Sequence, residues 1–118
     1  MKYMLLVWSN PENWDVVPDA EYAEYSALDQ ALLESGELVH SAALADPATA
    51  RNVRVRDGVA ATTDGPYIEA KEHLAGYFLV ECESPERALA IAGMIPAAGS
   101  DRERVEVRAV MDTAGLAM

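Results

Sequence analysis

Gly76-Tyr77-Phe78-Leu79-Val80-Glu81-Cys82, followed almost at once by Ser84-Pro85-Glu86, decides the fold. The first seven residues read as a strand. Tyr77 and Leu79 alternate with Phe78 and Val80, so both faces of that strand are apolar. Ser84 then supplies a helix cap, Pro85 a first helical residue with its φ already set, and Glu86 an acid at the helix's positive end. Ala88, Leu89, Ile91, Ala92 and Ile95 recur on one helical face, and Pro96 ends the helix. Residues 104–110 (RVEVRAV) alternate again, which predicts a returning strand.

The first third of the chain repeats that order. Residues 2–8 (KYMLLVW) form a strand that places Tyr3, Leu5 and Val7 on one side and Met4, Leu6 and Trp8 on the other. Ser9-Asn10-Pro11 breaks it. A helix opens at Pro18 or Asp19, with a buried stripe of Tyr22, Tyr25, Leu28 and Leu32, and Gly36 stops it. Residues 37–44 (ELVHSAAL) give the next strand. Between the two units, residues 52–56 and 59–63 flank Asp57-Gly58, a hairpin signal. The order β-α-β, hairpin, β-α-β predicts an α+β, ferredoxin-like fold with an antiparallel sheet and both helices on one of its faces. Because the strands are apolar on both faces, the other face also needs cover, and a homodimer is the expected solution. One domain over residues 1–112 and a short tail at 113–118 account for the chain.

Composition narrows the partners. Nine basic residues against 20 acidic ones leave a net charge of -11 with no basic run, so nucleic acid and anionic membranes are poor partners. The longest apolar run is too short to cross a bilayer, and no signal-peptide pattern opens the chain. A lone Cys82 provides no disulfide framework. A cytoplasmic location is the expectation.

The chemistry-bearing stretch is 59–77. Asp64 can accept from backbone N–H groups beyond it, Gly65 supplies torsional freedom, and Pro66 locks the next φ. The product is a rigid bend that aims Tyr67, followed by the ionisable cluster Glu69, Lys71, Glu72 and His73. These groups read either as a solvated turn with local ion pairs or as the rim of a pocket. Asp64 carries the most weight as a proton-handling carboxylate, with pinning the turn as the alternative. His40, in mid-strand, is the second catalytic candidate if it faces the same cavity; otherwise it is a structural histidine. Lys71 suits an anionic ligand or pairs with Glu69 or Glu72. Trp14, in a loop, suits a pocket wall or lid, whereas Tyr3 and Tyr77 are expected to pack in the core or interface. His73 is expected to be exposed, and Cys82 to be an inert core thiol. No metal-ligand spacing, phosphate loop, nucleophile elbow or dinucleotide fingerprint occurs, so neither a metal nor a cofactor is expected.

Thr63-Asp64-Gly65-Pro66-Tyr67, with Glu69, Lys71-Glu72 and Gly76-Tyr77 beyond it, resembles the signature of the YCII-related proteins of DGPF type. Met1-Lys2-Tyr3-Met4-Leu5-Leu6 and Ile95-Pro96-Ala97-Ala98 fit the same pattern, and the likeness spans almost the whole chain. Tyr67 stands where that pattern has Phe, keeping the ring and adding a hydroxyl. The resemblance implies a dimeric α+β barrel, in which two ferredoxin-like subunits pack sheet to sheet with a cavity in each, and a bacterial source. It also implies a His–Asp pair with its His on the first helix. The first helix here has no His, although Asp64 matches the acidic member. Genes of this type commonly lie beside extracytoplasmic-function sigma factors. Three readings follow: a small-molecule enzyme with its pocket at the 64–67 turn; a non-catalytic ligand-binding or regulatory partner, with a sigma factor as one candidate; and, ranked last, a purely structural dimer.

Overall fold

The structure is a computed structural model and describes residues 1–10, 19–66 and 71–111. Its elements run β1 (Lys2–Ser9), α1 (Asp19–Ser35), β2 (Leu38–Ala43), β3 (Arg51–Arg56), β4 (Val59–Asp64), β5 (His73–Glu81), α2 (Pro85–Met94) and β6 (Glu103–Ala109). Single 3-10 turns at Pro47–Thr49 and Pro96–Gly99 link β2 to β3 and α2 to β6.

Four strands form one antiparallel sheet in the order β2-β5-β1-β6, while β3 and β4 pair as a separate two-stranded hairpin. This is the ferredoxin-like arrangement, with the hairpin inserted between its two β-α-β halves. Strand alternation sets the two faces of the main sheet. Tyr3, Leu5 and Val7 of β1 and Phe78 and Val80 of β5 point to the helices and are buried. Across from them, α1 contributes Leu28 and Leu32, and α2 contributes Ala88, Ile91 and Ala92, with Ile95 and Ala97 just beyond. Leu5, Leu32, Ile91, Ile95 and Val80 are the largest fully enclosed side chains. At about 1.5–3 kcal/mol for each such aliphatic side chain, this one layer supplies the main drive to fold.

Both helices show where the predicted apolar stripes run too wide. Tyr22 is 59% exposed and Leu89 is 60% exposed. With about 100° between successive helical residues, Leu89 stands a quarter-turn from Ala88 and misses the sheet. Tyr22 sits in the first turn of α1, off the arc shared by Tyr25, Leu28 and Leu32. At the start of α2 the expected cap is present, with the Ser84 Oγ accepting from the Arg87 N–H at 3.1 Å. Among the described residues, no helix is long and apolar enough to cross a membrane.

Two local features fit the strands together. A Cβ at Gly76 would lie 2.7 Å from the Ala42 carbonyl oxygen, so β2 and β5 pair closely only because position 76 has no side chain. Bulges between Val7 and Trp8 and between Leu38 and His40 each reset the alternation by one residue.

Candidate functional site

The face of the sheet away from the helices follows from the same alternation. Met4, Leu6 and Trp8 of β1 and Leu74, Tyr77 and Leu79 of β5 point that way and are half-buried. The bulge at Val39 decides where His40 goes. Ser41 turns inward and donates to Asp29 Oδ1 on α1 at 3.2 Å, so His40 turns outward, opposite Leu79. There its Nδ1 lies 2.8 Å from the Tyr77 hydroxyl, and the two rings tilt by 38° with centroids 5.6 Å apart. At this distance one group donates a hydrogen bond to the other, in the direction the imidazole tautomer sets. Either nitrogen tautomer leaves the imidazole able to pass a proton between the tyrosine and a third group.

The β6 side of this face is polar. The Trp8 Nε1 donates to Glu106 Oε1 at 2.9 Å, and the Arg104 guanidinium lies 5.5 Å from the Trp8 ring centroid. Arg104 also pairs with Glu72, its Nε 3.0 Å from Oε2. Trp8 is therefore held at its ring edge by a carboxylate and over its face by a cation.

Trp8 also walls a groove of about 450 Å³ that includes Pro47, Asn52, Pro66, His73 and Leu74. A second hollow of about 520 Å³ is lined by Lys71, Glu72, Arg104 and residues 101–103, with Asn10. Among the described residues its lining is charged apart from Asn10 and includes no aromatic side chain. The groove is the better small-molecule shape, since apolar and aromatic walls with a few polar groups are what such ligands bury against.

Pro66 reaches the groove because the turn before it is clamped. Gly65 has φ +79°, a conformation that penalises any side chain. Its N–H donates to the Ala50 carbonyl, and the Asn52 Nδ2 donates to the Gly65 carbonyl at 2.7 Å. Asp64, immediately before, has a side chain 90% exposed, with its Oδ1 3.5 Å from the Arg51 Nε.

The sequence-derived candidates therefore separate. Asp64 ends β4 in the hairpin, whereas His40 lies in the main sheet, so the two belong to different sheets. Gly65 and Pro66 are half-buried at the groove, and Lys71 is exposed in the charged hollow. Trp14, Tyr67 and Glu69 lie outside the described residues, as does the part of the turn beyond Pro66. His73, expected at the surface, is half-buried in the groove wall because β5 begins there. Tyr3 and Cys82 are buried in the core. Tyr77, expected to pack in the core or interface, is half-buried on the open face, and its contact with His40 is the feature that sequence reasoning did not anticipate. Its alternation against Phe78 gave its face, but only the β2–β5 register could show that the same face carries His40.

The family model of the YCII-related domain matches residues 1–113. An uncharacterised protein of Rhizobium meliloti (strain 1021) is 33% identical over 101 residues, which is 86% of this chain and 77% of that protein.

Proposed function

The chain belongs to the YCII-related family, and from that premise we propose that it is a small-molecule enzyme of the DGPF type, working as a homodimer. In this reading two open sheet faces enclose a ligand cavity. His40 and Tyr77 move a proton within it, and the turn at Gly65 and Pro66 forms part of its rim. The observation that carries the reading is the 2.8 Å contact between the His40 Nδ1 and the Tyr77 hydroxyl, next to the apolar Leu6 and Leu79 on the sheet face that the helices leave open. A titratable pair beside apolar walls is the usual setting for acid–base work on a small ligand. Asp64 remains a second proton-handling candidate, and Lys71, Trp14, Tyr67 and Glu69 remain candidate ligand contacts. The buried thiol of Cys82 is compatible with a reducing, cytoplasmic setting.

The exposure of Asp64 and its ion pair with Arg51 favour a second reading, in which the same cavity binds a ligand without turnover. The protein then acts as a regulatory partner, with an extracytoplasmic-function sigma factor as the candidate.

A metabolite library screened by thermal shift separates the two. Under the enzymatic reading, a compound that stabilises the wild type is also converted, and His40→Gln and Tyr77→Phe each lower the rate by about 100-fold or more, the scale of a lost acid–base group. Binding without conversion by the wild type selects the regulatory reading. Conversion at an undiminished rate in both variants removes the His40–Tyr77 couple from the mechanism and leaves Asp64→Asn as the variant to test.

A further inference from the structure

Each strand of the main sheet gives one side chain to every row that crosses its open face, and the row through His40 ends in a charge. Leu79 pairs with His40 on one side and with Met4 on the other, and Met4 pairs with Arg108. Directly opposed residues of antiparallel strands point to the same face. His40, Leu79, Met4 and Arg108 therefore form one row over β2, β5, β1 and β6. The core agrees on the side: Val105 and Val107 of β6 pack against the buried cluster, which turns Arg108 the other way. Three strand spacings separate the ends of the row, about 14 Å between backbones.

Arg108 stands apart from the other charges of β6. On the open face of that strand, Arg104 is taken by Glu72, with its Nε 3.0 Å from Oε2, and Glu106 accepts from the Trp8 Nε1 at 2.9 Å. Both contacts lie toward the Trp8 end of the face, away from Arg108. Among the described residues, the exposed Arg108 side chain has no ion pair or hydrogen bond. In the next row out Lys2 stands opposite Glu81, so those two add no net charge. A guanidinium is always charged and offers a planar fork that meets a carboxylate with two parallel bonds. On a chain of net charge -11 most of the surface repels an anion, which makes an unengaged guanidinium in the row of His40 the place for one.

Between the two ends lie Leu79 and Met4, with Tyr77 and Leu6 paired in the adjacent row. The face is thus graded from the His40–Tyr77 couple, across an apolar strip, to a cation on β6. A molecule that uses all three is a carboxylic acid with an apolar body. A neutral ligand of the same shape leaves the guanidinium idle, and a body rich in hydroxyls would set polar groups on Leu79 and Met4 without partners.

We propose that Arg108 is the specificity-determining residue of the open face, which takes small monocarboxylic acids with their carboxylate on Arg108 and their far end against the His40–Tyr77 couple. The inference rests on the ligand cavity put forward above and adds the class of molecule that enters it.

Titration of the isotope-labelled full chain at neutral pH with hexanoate, and separately with hexanamide, tests the assignment through backbone amide shifts. Hexanamide keeps the body and lacks the charge. The expected result is that hexanoate shifts Met4, Leu79 and Arg108 and binds about tenfold or more tighter than hexanamide, the scale of charge-assisted hydrogen bonds. Arg108→Gln should abolish that preference and leave hexanamide binding as it was. Position 108 is exposed, so the variant keeps the fold, which far-ultraviolet circular dichroism checks. Arg56→Gln removes the same charge from the hairpin and should leave the preference intact. Equal binding of the two compounds by the wild type, a preference that survives Arg108→Gln, or one lost equally in Arg56→Gln overturns the role of Arg108 while leaving the open face as a ligand site. Shifts from neither compound at Met4, Tyr77 and Leu79 also overturn it, and the thermal-shift screen then decides the cavity by itself.

Discussion

At the residue scale, the tightest constraint in the molecule is the missing side chain at Gly76. A Cβ there would meet the Ala42 backbone oxygen at 2.7 Å, and backbone yields less readily than a side-chain tip. Gly76→Ala is expected to lower the unfolding free energy by about 1–3 kcal/mol, the range for overpacking a fitted site, as measured by urea denaturation. Tyr25 offers a separate test. Burial, helped by Glu103 and Glu21, pushes its phenol up to about 12 from the ordinary 10.0. The folded state therefore holds this proton more tightly than the unfolded chain does. Stability from this source is intact below pH 10.0 and is lost as pH rises towards about 12. Burial also raises the Tyr3 phenol, so spectrophotometric titration should show late-ionising tyrosine, and Tyr25→Phe should remove the part of that late step that belongs to Tyr25. What the sequence conveys about single residues is uneven for a physical reason. The positive φ of Gly65 and the cap made by Ser84 are properties of their own turns, so they are legible locally. His40 and Tyr77 are 37 residues apart, and their contact depends on a bulge that no local pattern announces.

At the scale of elements, the seams carry the testable energetics. Glu37, between α1 and β2, accepts from the Arg87 Nε at 2.9 Å and from its terminal nitrogen at 2.8 Å, which ties the start of β2 to α2. The Arg87 hydrogen bonds, followed by that from Ser35, hold the Glu37 carboxyl below its usual range. A lowered carboxylate pKa stabilises the fold above the unfolded value, and that stability is lost as pH falls through the folded one. Glu37→Gln should therefore lower the melting temperature at neutral pH and make much less difference in acid, where the wild-type carboxyl is itself protonated. Ser84→Ala removes the α2 cap and should cost about 0.5–2 kcal/mol, read from thermal or urea unfolding. Strands and helices were legible here because their periodicities are strong, as in β1, where every second residue is buried. The errors at Tyr22 and Leu89 came from treating every apolar residue near the stripe as part of it. Only the distance to the sheet sets how wide a stripe can be buried.

At the scale of the whole molecule, the two faces of the sheet differ in what holds them. The helix side is closed within one chain, with Leu5 and Val80 at 0% exposure. The other side leaves Met4, Leu6, Leu74, Tyr77 and Leu79 half-buried beside the polar Trp8, Glu106 and Arg104 cluster. That asymmetry was visible in the strands as apolar residues on both faces, but the alternation is symmetric and could not say which side the helices would take. It separates two substitutions that look alike on paper. Leu5→Ala empties a closed layer and should cost about 2–5 kcal/mol of stability whatever the protein concentration. Leu79→Glu leaves that layer untouched and places a charge on the face assigned to the second copy. In the proposed dimer it should bring the light-scattering mass down to that of one 12.8 kDa chain, while unfolding of the dilute protein changes little. A variant that stays dimeric would move the interface off the open face, and the His40–Tyr77 couple would then face solvent rather than an enclosed cavity.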